Sequence, residues 1–501
     1  MPELSDLEQI RREKLILLEQ AGMAAYPAKV ERTHTTREAV EAYQSADEEI
    51  RTAVVGRIRS LRDLGKIVFA HIEDGSGQLQ LYFRQNDIGE EAMSLLKGAF
   101  DLGDFIQAAG YMFTTRAGEV TLHVESFRML SKALTPLPTP KVETIDGEEV
   151  VHDAFEDSEA RVRQRYVDLA VNPEVREVFR ARARIMGALR TFLDSRGFLE
   201  VETPILQPIY GGAAARPFVT HHNQLRQDLY LRISFELYLK RLLVGGLERV
   251  YEIGRDFRNE GVDRRHNPEF TQLEFYMAYA DFRQVMELTE QMVAAAAVAA
   301  TGGTQVTYQG QQIEFAPPWQ RKTLRQAILE ASEIDIDEYP EAESLREAML
   351  AQGRQPTPGS TRGKLIESLL SSDIEPASLQ PVFLYDYPRD ISPLAKAVPG
   401  DPRTVERFEG FVGGLELCNA FSELNDPIDQ EARFLEMGRD YGVEDEDRHP
   451  MDEDYLQAMR YGMPPCGGFG MGIDRLTMLL TDNPSIREVI LFPHLRARDD
   501  D

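Results

Sequence analysis

Residues 66–83 read KIVFAHIEDGSGQLQLYF. Polar and apolar side chains alternate on both sides of a glycine-containing turn, the pattern of a half-buried β-hairpin and not of a helix with a 3.6-residue period. Residues 104–130, DFIQAAGYMFTTRAGEVTLHVESFRML, repeat the pattern around TRAG. With a helical stretch near 88–98, strands this short and this closely spaced predict a small closed barrel over residues 51–134. Any fold for this chain must begin from that all-β unit.

The flanking segments read differently. Ser5 and Glu8 stand in capping-box spacing and Gly22 follows an apolar and charged run, so a surface helix is expected over 5–21, within an extension of residues 1–50. Residues 135–151, TPLPTPKVETIDGEEVV, hold three prolines without periodicity and predict a linker over 135–165. Strand and helix patterns then intermix, which predicts one large α+β domain at 166–497. A helical insertion is expected near 331–378, where ESLREAMLAQGRQPTPGSTRGKLIESLL reads as two helices around a loop.

Composition excludes several classes. The longest apolar run, MVAAAAVAA, is far too short for a membrane span, and the first twenty residues mix charge throughout. With only Cys418 and Cys466, neither a disulfide framework nor a cysteine-rich zinc site is available. A cytoplasmic protein without a membrane partner is expected. The net charge of −28 opposes indiscriminate nucleic-acid binding but leaves local basic patches free to act. Residues 51–66 carry five cations against Asp63, and 161–190 carry eight arginines against Asp168, Glu174 and Glu177. The acidic stretch 443–455 reads as exposed loop.

Alternation on the first barrel hairpin sends Val68, Ala70 and Ile72 to the core and leaves Phe69 and His71 outside, near Arg57, Arg59 and Gln80. Aromatics beside cations on a barrel face hold single-stranded bases, although ordinary cross-strand packing has the same spacing.

Residues 257–281, FRNEGVDRRHNPEFTQLEFYMAYAD, mix cations, carboxylates and aromatics densely. A solvated loop has no need of the aromatics and a core strand does not tolerate the charges. Asn259 and Gly261 mark a turn, so a strand carrying Arg258 should lead into a loop and then a second strand from Thr271. Alternation then places Glu274 and Tyr276 on one face, a carboxylate and a phenol suited to an ammonium group. Arg258 can fork onto a phosphate or a carboxylate. An internal salt-bridge network is the competing reading, and buried ion pairs add little net stability. In RFEGFVGGLELCNAFSELNDP (407–427), Glu409 and Glu416 suit magnesium if a phosphate lies nearby, and are otherwise surface carboxylates. In GGFGMGIDRLTMLLT (467–481) the dinucleotide spacing is absent. There Arg475 opens a helix where it can lie over a nucleotide or pair with Asp474.

Three blocks together resemble the class II aminoacyl-tRNA synthetases: GFLEVETPIL (197–206) with Pro204, FRNEG…RRHNPEFTQLEFY (257–276), and GGFGMGIDRL (467–476). The hairpin barrel ahead of them is similar to the aspartate, asparagine and lysine subgroup. GGAAARPFVTHHN, HNPEFT and FSELNDP look like its lysine-specific branch. The resemblance runs from the first barrel strand to VILFPHLR. It implies an α+β protein with an N-terminal five-stranded OB-type β-barrel and a class II catalytic domain, whose six- to seven-stranded antiparallel sheet is flanked by helices.

The resemblance also implies the chemistry. ATP and Mg2+ would be used to activate L-lysine, and a lysine tRNA would be charged by a homodimer paired through the Pro204 segment. Arg258 would bridge the α-phosphate and the lysine carboxylate, with Arg475 and His266 at the γ-phosphate. Phe270 would stack on adenine, with Asn267 and Glu260 at its edge, and Glu409 and Glu416 would hold magnesium. Glu236 and the Gly212 region would take the α-amino group, Asn419 the carboxylate side, and Glu274, Tyr276 and Glu423 the ε-ammonium. Phe69, His71 and Gln80 would meet the anticodon. The chain departs from the pattern at Ser234, usually alanine, at Phe235 and at Cys418, and in its long linker. Ser234 resembles relatives that load a lysine-like amino acid onto another acceptor, so a paralogue acting on lysine or β-lysine is the alternative expectation.

Overall fold

The computed structural model describes residues 5–46, 48–138, 141–145, 148–152, 155, 157–440 and 450–496. The chain divides into two compact units, Met1–Glu156 and Asp157–Asp501. No helix among the described residues is long and apolar enough to cross a membrane.

In the first unit, strands β1 (Arg51–Asp63), β2 (Ile67–Glu73), β3 (Gln78–Arg84), β4 (Phe105–Thr114) and β5 (Val120–Ser131) close into a barrel in the order β1-β2-β3-β5-β4. This is an OB-type barrel. Val68, Ala70 and Ile72 of β2 are buried with Leu79, Leu81 and Phe83 of β3, as the two-residue period requires. The helix Glu90–Ala99 adds Met93, Leu96 and Ala99 to the same core. The helix Asp6–Gln20 starts at a complete Ser5/Glu8 capping box. A second helix, Thr36–Ser45, was not expected, although its Thr35/Glu38 capping box is written in the sequence. The segment read as linker holds a hairpin, Lys141–Ile145 with Glu148–His152, and a helix, Ser158–Arg163. The hairpin strands are short and largely polar, so their alternation carries little signal.

Among the described residues of the second unit, a sheet of nine strands, one of them the two-residue strand Ala397–Val398 off its main path, has an antiparallel centre. It contains β6 (Arg249–Phe257), β7 (Glu269–Ala278), β8 (Val382–Pro388), β9 (Asp401–Val412), β10 (Leu415–Ser422) and β11 (Cys466–Gly472). Their order is β8-β9-β10-β11-β7-β6. The expectation of six to seven antiparallel strands needs correction at the edges, where Gln320–Thr323 and Leu199–Glu200 add parallel pairs to β8 and β6. Helices Pro173–Asp194 and Phe282–Thr301 pack on one face. There Ile185, Leu189, Val285 and Val293 meet Leu273, Phe275, Phe469 and Met471 in one core. The opposite face of β7, with Phe270, Gln272, Glu274 and Tyr276, is thereby turned towards a cavity.

The insertion forms helices Ala342–Ala351 and Arg362–Leu369, continued by a π-helical turn, Leu370–Ile374, around its own core. Of the acidic stretch 443–455, residues 443–449 lie outside the described residues. The remainder is not the exposed loop expected. Asp452 is buried, caps the helix Glu453–Arg460 by accepting from the Tyr455 amide at 2.9 Å, and pairs with Arg241.

Candidate active site

The cavity of about 320 Å³ lies over β7, β10 and β11, and charge is graded along these strands. On β7, Gln272 to Tyr276 run beside Gly472 to Gly468 of β11, with Phe270 beyond them, while β10 runs from Glu416 towards Glu423. At about 3.3 Å per residue, Glu274 and Tyr276 stand well over 10 Å from Phe270 along β7. One end is rich in carboxylates and the other in cations.

At the acidic end, Glu274 is 3% exposed. It accepts hydrogen bonds from Ser234 Oγ (2.8 Å), the Phe235 amide (3.3 Å), Gln272 Nε2 (3.1 Å) and Tyr276 OH (3.1 Å). Glu236 and Glu423 are buried with it. Lys240, itself fully buried, forms ion pairs with both Glu236 and Glu423. Glu236 and Glu423 thus share one internal cation, while Glu274 is held by neutral donors. Burial pushes Glu274 up to about 7, with the charge of Glu236 adding to it against the pull of Ser234 and Tyr276. Glu423 is raised well above the usual carboxylate range by burial, against the pull of Lys240 and with Glu236 adding to it. An added cation would relieve all three.

The backbone leaves room for such a guest. Gly212 adopts φ +88°, where a side chain is disfavoured, and a Cβ there would lie 2.9 Å from Glu236 Cβ. A Cβ on Gly468 would fall 2.5 Å from the Tyr276 ring and closer still to Glu423. Asn419 accepts from Arg407 Nε at 2.9 Å, so its NH2 group is the end left for an anion.

At the other end, Arg258 stands just past β6, its guanidinium 5.1 Å from the Phe270 ring, and its buried Nε has no hydrogen-bond partner among the described residues. Arg475 pairs with Glu416 at 3.1 Å and approaches His266 Nε2 at 3.4 Å. His266 Nδ1 meets Asp263 at 2.9 Å, and Arg265, absent from the expected set, pairs with Glu375 at 2.8 Å. Glu260 and Asn267 also line the cavity. The Asn267 side chain serves the fold as well: it donates to the Glu269 carbonyl at 2.6 Å and accepts from the His494 amide at 3.3 Å.

Glu409 and Glu416 lie on neighbouring strands across a bulge. Glu409 is buried and accepts from Tyr387 OH (2.9 Å) and Arg407 (2.5 Å). Burial, opposed by Arg407 and reinforced by the charge of Glu416, pushes it up to about 7. Among the described residues no group of three or more His, Cys, Asp or Glu forms a self-sufficient metal site. Two oxygen donors that repel one another fit an ion such as Mg2+, which takes few protein ligands and completes its shell with phosphate and water.

On the barrel, Phe69 packs on Tyr82 at 5.2 Å, and His71 and Gln80 both bond Glu119, at 2.9 and 2.7 Å. The cation opposite Phe69 is Arg62, displaced into that place by a bulge between Ile58 and Ser60, and not Arg57 or Arg59. Tyr82, Phe113 and His123 extend the aromatic face.

Ser234 and Phe235 therefore touch Glu274 directly, whereas Cys418 is a buried thiol held above its usual range by its surroundings. Sequence reading missed Lys240, Arg265 and Gln272. Lys240 follows Glu236 by four residues, a spacing that normally marks an exposed helix pair. Only the fold shows that this pair is inside.

Residues 157–496 match the family described as "tRNA synthetases class II (D, K and N)", and residues 52–130 match "OB-fold nucleic acid binding domain". A protein of Roseiflexus castenholzii named "Lysine--tRNA ligase" is 52% identical over 499 residues, covering 99% of this chain and 100% of its own. Proteins of the same name from Chloroflexus aurantiacus and Pelotomaculum thermopropionicum are 49% and 51% identical. They cover 100% and 99% of this chain, and 100% and 96% of their own length.

Proposed function

Because the chain belongs to the class II tRNA synthetases of the D, K and N group, we propose that it activates L-lysine with ATP and transfers it to a lysine tRNA. The observation that carries this reading is the acidic end of the cavity, where Glu236 and Glu423 share Lys240 while Glu274, buried beside them, is held by neutral donors. L-Lysine brings two ammonium groups, and no other proteinogenic amino acid places a compact second ammonium at the end of a four-carbon stem.

In this reading the ε-ammonium meets Glu274, Tyr276 and Glu423, and the α-ammonium meets Glu236 beside Gly212. The NH2 of Asn419 and the guanidinium of Arg258 take the carboxylate. Phe270 stacks on adenine, with Glu260 and Asn267 at its edge. A lysine carboxylate oxygen attacks the α-phosphorus in line, the bond to the pyrophosphate oxygen breaks, and Arg258 neutralises charge on the equatorial oxygens. Arg475 and His266 receive the leaving pyrophosphate. Glu409 and Glu416 would hold Mg2+, which shields phosphate charge when bound. The terminal ribose hydroxyl of the tRNA then attacks the acyl carbon and AMP departs.

Phe69, His71 and Gln80 are proposed to meet the anticodon, with Glu119 as the carboxylate they leave. A homodimer through the Pro204 segment is supported by the exposed apolar residues Leu199, Ile205, Leu206 and Ile209. The cytoplasm follows as the place of tRNA charging.

The test is ATP–pyrophosphate exchange by the purified protein with L-lysine, β-lysine, arginine or ornithine. L-Lysine is expected to drive exchange well above the rest, and preference for another amino acid would overturn the substrate. A pH series adds an independent check. Glu274 has a folded-state pKa raised from 4.5 to about 7, so it contributes stability that is full below 4.5 and lost as pH rises through about 7. An ammonium ligand prefers the ionised form, so binding releases a proton. Lysine affinity without ATP is expected to tighten about tenfold between pH 6 and 8. A flat calorimetric profile would show that the ammonium is held elsewhere.

A further inference from the structure

We propose that Glu375, at the end of the π-helical turn in the insertion, positions Arg265 for the terminal phosphates of ATP. This rests on the reading of the cavity as an ATP site.

Arg265 lines the cavity from an irregular loop, residues 258–268, whose tip is exposed. A free arginine in such a loop loses rotamer entropy when a ligand immobilises it, a cost that weakens binding. Its side chain is half exposed and is anchored by the bond from Nη1 to Glu375 Oε1 at 2.8 Å. A guanidinium has five donors, so a single bond to one carboxylate oxygen leaves most of the fork for phosphate.

Glu375 is far better fixed than its partner. The Glu375 amide donates to the Leu370 carbonyl at 2.9 Å, the wide i→i−5 bond of the π turn. That turn adds a residue relative to α-helical spacing and so sets the direction in which Glu375 emerges. The chain then bonds to the hairpin that carries Glu409 and Glu416. Gly413 and Gly414 donate their amides to the Leu379 and Ser378 carbonyls, each at 3.0 Å. The insertion is therefore tied both to the acidic hairpin and, through one ion pair, to the phosphate loop. The charges acting on Glu375 are those of the cavity's cationic end. Burial raises its pKa, Arg265 opposes this, Glu416 adds to it, and Arg475 and His266 oppose it.

A carboxylate in this place would repel an anion if it stood alone. Paired with Arg265 it adds little net charge and supplies orientation. Its removal leaves the arginine charged but unplaced, so ATP affinity falls while lysine affinity holds.

The experiment is equilibrium dialysis of ATP with Mg2+, without amino acid, beside calorimetric binding of lysine without ATP. Glu375→Ala is expected to weaken ATP about tenfold, and Glu375→Gln, whose amide oxygen still accepts from Arg265, about threefold or less. Arg265→Ala should weaken ATP at least as much as Glu375→Ala, and the double variant should be no worse than Arg265→Ala alone. Lysine affinity should not move. Additive losses in the double variant, an equal loss of lysine binding, or unchanged ATP affinity in Glu375→Ala would each overturn the proposal. Since ATP binding is read without an amino acid, failure of the lysine assignment leaves this result standing. Failure at Glu375 leaves lysine-driven exchange intact.

Discussion

Glu274→Gln is expected to lower kcat/KM for lysine in pyrophosphate exchange by about three orders of magnitude, roughly 4 kcal/mol. The replacement keeps shape and removes charge. Four donors surround the native carboxylate, from Ser234, Phe235, Gln272 and Tyr276. An amide oxygen can retain the first three of these, and the tyrosine hydroxyl can rotate to accept from the new NH2. The fold therefore survives, but an ammonium brought into this dry corner meets a weaker partner and, from the NH2, a repulsive one. Stability should move the other way. Native Glu274 is costly to ionise because it is buried beside Glu236, so above its pKa of about 7 the neutral variant avoids that cost. At pH 8 the melting temperature of the free variant should equal or exceed that of the parent. Exchange kinetics and thermal melting check the two halves separately. A loss below about tenfold would mean that the ε-ammonium does not rest on Glu274.

Arg258→Lys is expected to reduce the exchange rate at saturating substrates by about a hundredfold or more, with KM for lysine changed only a few-fold. Lysine keeps the charge but loses the planar fork, and with it simultaneous contact to a phosphate and a carboxylate. The loop should keep its closure, because that depends on the main chain: the Arg258 amide donates to the Pro268 carbonyl at 2.9 Å, and the Asp263 amide to the His266 carbonyl at 3.2 Å. What disappears is the guanidinium near Phe270, whose buried Nε has no hydrogen-bond partner among the described residues. A rate within about threefold of the parent would assign the bridging role to another cation of the cavity, Arg475 or Arg265.

The barrel face and the β7 face were legible because a strand has a strict two-residue period. Once Val68 and Leu273 are inside, Phe69 and Glu274 are assigned with no further information. The capping boxes at Ser5 and Thr35 were legible for the same local reason, although only the first was read. Lys240 was not. Its neighbours in sequence describe an ordinary amphipathic helix, and Glu423 reaches it from nearly two hundred residues away. The Arg265–Glu375 pair likewise joins two irregular segments for which no periodicity predicts a meeting. The bulge in β1 moved Arg62, and not Arg57 or Arg59, opposite Phe69, because one extra residue reverses which side chains face out.

By itself the sequence determined the order of the two units, the faces of their strands and the chemical types gathered in three blocks, since these follow from periods and turns encoded within ten or twenty residues. The tertiary structure alone decided which of those charges share a cavity, how many cations offset its carboxylates and which arginine is held by the insertion. Those are matters of distance and burial between segments far apart in the chain. Coulomb energy and desolvation depend on that separation in space and not on separation in sequence.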